Sequence, residues 1–105
     1  MIKANLDIGG YPSEITFSKA QYRNGGLAIM AWDYDGQYCT MTTWLPKTDI
    51  LNGNEAFMNP DDDCMAEIVK WLEKMGYATP IPIMATSGFN TYTAYEFSEE
   101  FLREI

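Results

Sequence analysis

Three consecutive aspartates, Asp61-Asp62-Asp63, are the first residues whose type and spacing invite chemistry, because hard divalent cations take clustered carboxylate oxygens. They follow Asn59-Pro60, and that order is a helix start: Asn at the N-cap, Pro at the first helical position, acids in the first turn. Adjacent side chains on a helix point to different sides, so the trio reads as capping and not as a metal site. Cys39 and Cys64 lie far apart and lack C-x-x-C spacing, which argues against zinc and thioredoxin-type chemistry. The chain has no histidine, so it holds no Ser-His-Asp triad, no Cys-His dyad and no His-ligated metal. Gly9-Gly10 and Gly25-Gly26 lack the flanking pattern of a phosphate cradle. Asp7, Glu14, Glu96, Glu99, Glu100 and Glu104 could form an acidic surface if their elements meet. A glycosidase-like carboxylate pair among them needs a cleft that a small sheet with one helix hardly offers. The reading therefore assigns no catalytic residue, no cofactor and no metal.

Charge and aromatic content point to surfaces instead. Fifteen acidic residues against seven basic ones give a formal net charge of -8. Such a chain repels nucleic acid and anionic membranes and favours a basic protein partner. Seven tyrosines and three tryptophans suit protein interfaces, since both residue types join a large apolar area to a polar handle. The start MIKANLDIGG lacks the apolar core of a signal peptide, and no run reaches the roughly 20 apolar residues of a spanning helix. Two cysteines do not make a disulfide framework. These features set the expectation of a soluble, cytoplasmic protein.

The elements that must position any site can be read in order. Ile2, Ala4, Leu6 and Ile8 alternate with polar residues, and Gly9-Gly10 turns the chain back through residues 11 to 18. Counting outward pairs Ile8 with Tyr11, Leu6 with Ser13, Ala4 with Ile15 and Ile2 with Phe17. Residues 19 to 26 connect to a central hairpin with Asp35-Gly36 as its two-residue tip. That tip pairs Tyr34 with Gln37, Trp32 with Cys39 and Met30 with Met41, and puts these residues on the core face. It leaves Asp33, Tyr38, Thr40, Thr42 and Trp44 on the other face, as the residues expected to touch a partner. Lys47 to Pro60 reads as irregular, anchored by Phe57. Met65, Ile68, Val69, Leu72 and Met75 give the following helix one buried stripe, and Gly76 suits its C-terminal cap. Pro80 and Pro82 favour extended chain, residues 91 to 97 form a fifth strand, and Ser98 caps a short helix to about Glu104. The sum is one α+β domain over residues 1 to 105: an antiparallel sheet of about five strands, packed by one main helix, with a short C-terminal helix.

Several of these residues also carry a resemblance. Tyr22, Asn24-Gly25-Gly26-Leu27-Ala28-Ile29, Asp35-Gly36, Leu45-Pro46, Asn54-Glu55-Ala56-Phe57, Trp71-Leu72, Gly76, Ser87-Gly88-Phe89, Tyr92, Tyr95 and Phe97 resemble an uncharacterised domain family. Its members are short bacterial proteins carried on plasmids, conjugative elements and phages. The similarity covers about residues 11 to 97, and NGGLAI, NEAF and SGF are its most specific pieces. Where family members often have Tyr-Pro near the last strand, this chain has Tyr92-Thr93. The resemblance implies the cargo of a mobile element and carries no catalytic residues.

The expected function is that of a non-enzymatic protein-binding or regulatory accessory, acting through a sheet face or its acidic surface. A second reading is an acidic inhibitor of a host nucleic-acid-handling enzyme, of the anti-CRISPR or anti-restriction type, whose carboxylates mimic phosphates. A third is a small carboxylate enzyme. An exposed edge strand or aromatic patch would equally make a homodimer.

Overall fold

The first turn shows how closely local chemistry sets this fold. The computed structural model describes residues 2–23, 25–59 and 63–105. Gly9 and Gly10 both have positive φ (61° and 85°), as a tight two-residue hairpin loop requires. Strands β1 (Lys3–Ile8) and β2 (Tyr11–Gln21) therefore pair with Ile8 opposite Tyr11, Leu6 opposite Ser13 and Ala4 opposite Ile15. This is the register that the alternation demands. Ala4, Ile8, Ile15 and Phe17 are buried as a result. β2 runs on to Gln21, so the first three residues of the expected connection, 19 to 21, are strand.

The central hairpin forms with a different register. β3 (Leu27–Asp33) and β4 (Gly36–Thr40) place Asp33 opposite Gly36, so the loop is Tyr34-Asp35. Asp33 Oδ1 accepts a hydrogen bond from the Asp35 amide at 2.8 Å. Asp at the first position and Gly at the fourth are the preferences of a type I turn, which needs no positive φ at its centre. The pairing then shifts between Ala31 and Trp32: Trp32 faces Gln37, and Ala31 faces Cys39. Tyr38 is the extra residue of this bulge. Below it Met30 faces Thr40, and the Met41 amide donates to the Ile29 carbonyl at 2.8 Å. A one-residue slip moves side chains to the opposite face. Ile29 and Ala31, not Met30 and Trp32, thus join Cys39 and Met41 on the core side. Trp32 is half-buried on the outer face, where its Nε1 donates to Ser18 Oγ at 2.7 Å.

The expected single sheet is in fact two. Strands β1-β2-β3-β4 form the first, in that order. The chain then bends at Met41 into β5 (Thr42–Thr43), an edge of a second sheet. Leu45 and the 3₁₀ turn Pro46–Ile50 follow. Two stretches without clear strand signals complete this sheet. β6 (Glu55–Met58) has all four residues buried and so shows no alternation. β7 (Ala78–Ser87) carries Pro80 and Pro82, which a central strand excludes and an edge strand tolerates. β8 (Asn90–Phe97) lies between them, giving the order β5-β6-β8-β7. The pairing of β7 with β8 is irregular between Pro80 and Met84, at the prolines. The fold is α+β as expected, with two four-stranded antiparallel sheets in place of one of about five strands.

The main core lies between the sheets and under helix α1 (Asp63–Lys74). Met65, Ile68, Val69 and Leu72 supply the helix stripe, meeting Ile15, Phe17, Ile29 and Ala31 from the first sheet and Ala56, Met58 and Phe97 from the second. Met75, expected in this stripe, is instead exposed because the helix ends at Lys74. Gly76 has φ 75°; its amide bonds the Glu73 carbonyl, and the Tyr77 amide bonds the Leu72 carbonyl at 2.8 Å. That is a Schellman cap. The expected helix start at Pro60, Asp61 and Asp62 lies outside the described residues. Helix α2 (Glu99–Glu104) is capped by Ser98, whose Oγ accepts from the Phe101 amide at 3.1 Å. Phe101 is fully buried and packs on Phe17, Tyr77 and Phe97 with ring centroids 5.4–5.9 Å apart. Among the described residues no helix is long and apolar enough to cross a membrane.

Candidate functional site

The five residues expected to share one partner-facing surface occupy different settings. Asp33 holds the β3–β4 turn through its own side chain. Tyr38 lies in the β4 bulge, and its side chain is outside the described ones. Thr40 is exposed on the outer face of the first sheet opposite Met30. Thr42 is buried: its Oγ1 accepts from the Ile29 amide at 3.1 Å, and its carbonyl accepts from the Tyr22 hydroxyl at 3.0 Å. Trp44 is half-buried against the Gly25–Gly26 turn, so close that a Cβ on Gly26 would lie 3.1 Å from its Cδ1. The bend at Met41 separates them, since Thr42 and Trp44 belong to the second sheet's side and Thr40 to the first.

Groups that could do chemistry are dispersed. Among the described residues no three His, Cys, Asp or Glu side chains converge as metal ligands would. Cys39 is half-buried, with its Sγ 3.3 Å from Met65 Sδ on the first turns of α1. Glu55 is the one buried carboxylate among the described residues. Its Oε1 accepts from the Asn52 amide at 2.8 Å and its Oε2 from Asn52 Nδ2 at 3.3 Å, closing the turn before β6. It lines a cleft of about 270 Å³, shared with Gly25, Gly26, Leu51 and Gly53.

The second sheet offers a coherent surface. Its inner face carries Ala56, Met58, Ala78 and Phe97 to the main core. Strand alternation turns the intervening residues outward. There Phe57, Ala94 and Leu45 form a separate small core, with Leu51, Ile81, Ile83, Ala85 and Tyr92 packed around it. The segment around the 3₁₀ turn packs against this cluster, and Lys47 Nζ donates to the Met84 carbonyl on β7 at 2.8 Å. Ile81, Ile83 and Tyr92 are half-buried in the cluster. At the tip of the β7–β8 hairpin Phe89 is wholly exposed, and Met84, on the opposite face of β7 from Ile83 and Ala85, is 56% exposed. At the other end of this face Glu55 on β6 stands directly opposite Glu96 on β8, and Thr79 on β7 completes the row. The face is thus apolar at its centre and acidic at one end. In the sequence the prolines favour extended chain without marking a paired strand, yet Thr79, Ile81, Ile83 and Ala85 do alternate with Pro80, Pro82 and Met84.

Comparison with known proteins returns no significant match: no protein-family model, no curated protein and no solved structure aligns with this chain.

Proposed function

We propose that the chain is a non-enzymatic protein-binding or regulatory accessory of a mobile genetic element, working in the cytoplasm and meeting its partner with the outer face of the second sheet. One observation carries the reading: the β7–β8 hairpin ends in the fully exposed Phe89, and Met84 on the same hairpin is 56% exposed. Exposed apolar patches mark interaction sites. Aromatic side chains at such places serve as anchors, filling pockets on a partner at little entropic cost. The mobile-element setting rests on the resemblance through NGGLAI, NEAF and SGF.

Capture from a bacterial lysate, followed by binding measurements with the purified partner, tests the reading. Phe89→Ser and Ile83→Asp should each weaken the complex at least about tenfold. Phe89 makes no buried contact that its replacement would break, so the Phe89→Ser result does not depend on refolding. A partner that binds both variants as tightly as the parent chain overturns the proposal. Binding that ignores these variants but disappears at high salt would move the function to the acidic surface, as a phosphate-mimicking inhibitor requires.

A further inference from the structure

From Met75 to Tyr95 the sequence holds no charged residue, although charged residues make up 21% of the chain. Burial accounts for this at Ala78 and Ala94, and at Ile83, Ala85 and Tyr92 in the small core. It does not account for Met84, Thr86, Ser87, Phe89, Asn90 and Thr91, all of which are exposed. The β3–β4 turn is built the other way. Its Tyr34 is 98% exposed, and Asp33 and Asp35 stand on either side of it. Charge at an exposed tip keeps a protein soluble, and a neutral apolar tip invites association. The centre of a protein interface favours the neutral kind, because a charge buried there loses its hydration.

The backbone sets how the tip is met. Ser87 faces Asn90, which leaves Gly88-Phe89 as the two-residue loop. Gly88 has φ 62°, and among the described residues no other residue type has positive φ, the pattern of a type II′ turn. The paired strands thus hold the Phe89 backbone at the apex before any partner arrives, and preorganisation of this kind lowers the cost of binding. The β7 edge is less open to strand addition. Pro80 and Pro82 have no amide to donate, and Lys47 Nζ donates to the Met84 carbonyl at 2.8 Å. A partner therefore meets the hairpin end-on. A basic surface would be drawn to the carboxylates elsewhere on a chain of net charge -8, an acidic one would be repelled by them, and neither finds a counter-charge at the tip.

Resting on the reading that this hairpin binds protein, we infer that the occupant of the tip is an uncharged apolar pocket of the partner. It takes the Phe89 ring, and neutral hydrogen-bonding groups at its rim meet Thr86, Ser87, Asn90 and Thr91.

Substitutions of opposite charge at one exposed position test this. Thr91 lies opposite Thr86 in the ladder and is exposed, so either charge should leave the amide spectrum of the rest of the chain unchanged. Two probes are read: the partner captured from the lysate, and a neutral phenyl-agarose column. Thr91→Lys and Thr91→Glu should each weaken the complex about tenfold, as Phe89→Ser does, and all three variants should leave the column earlier than the parent chain. Tyr34→Ser should change neither measurement. A complex weakened by one sign of charge and kept by the other overturns the inference, while its loss in Phe89→Ser leaves the binding reading standing. Column retention governed by Tyr34 and not by Phe89 also overturns it, as does sedimentation showing that Phe89 instead joins two copies of this chain. A lysate that yields no complex, or one indifferent to Phe89→Ser, removes the reading and the inference together.

Discussion

Thr42 fastens one sheet to the other. Its hydroxyl accepts the Ile29 amide of the first sheet, while its own backbone pairs with Met58 in the second. Asn59 Nδ2 reinforces the same bend through the Thr40 and Thr42 carbonyls at 2.5 and 3.3 Å. Thr42→Val keeps the shape but leaves a buried amide without a partner, so unfolding in urea should show a loss of about 1–3 kcal/mol. Thr42→Ser keeps the hydroxyl and should cost only about 1 kcal/mol, for the lost methyl. Equal losses for the two would deny the hydrogen bond its role. In the sequence Thr42 is one more threonine in an alternating strand. Only the bend at Met41, set by tertiary packing, makes it a buried fastening.

Among the elements, legibility follows how many local signals agree. β1 and β2 have a Gly-Gly turn and an alternation that fix the same register, and the structure adopts it. Asp35-Gly36 satisfies two turn types, and the Asp33 side chain decides in favour of the one that starts earlier. The bulge at Tyr38 then reverses the faces of β3. β6 is hidden because both its faces are covered, and β7 because prolines sit at its edge. The C-terminus of α1 is legible, since Gly76 takes the positive φ that its place after the helix demands. Gly76→Ala should destabilise by about 1–2 kcal/mol in chemical denaturation, with no effect on partner binding. A neutral result would mean that the cap relaxes without cost.

For the whole molecule, the two sheets share one core and α2 closes it. Phe101, with no exposure, touches rings from β2, β8 and the α1–β7 junction. Phe101→Ala should cost about 3–5 kcal/mol and lower the thermal midpoint of both sheets in one cooperative transition. Separate transitions would show that the sheets fold independently. The inner face of the second sheet is thereby committed to structure, and the proposed recognition surface is the β7–β8 hairpin with Phe89 at its tip. The expected surface around Thr40, Thr42 and Trp44 came from a register in which the hairpin stays in one sheet. The bend divides those residues between the two sheets, and the proposed face depends instead on strand β7. Amide hydrogen exchange of the chain with and without its captured partner tests this claim most directly. The account predicts slowed exchange confined to residues 81–92 and the facing part of β8, with the first sheet unchanged. Protection on the outer face of the first sheet at Met30, Trp32 and Thr40, with β7 and β8 unaffected, would contradict it.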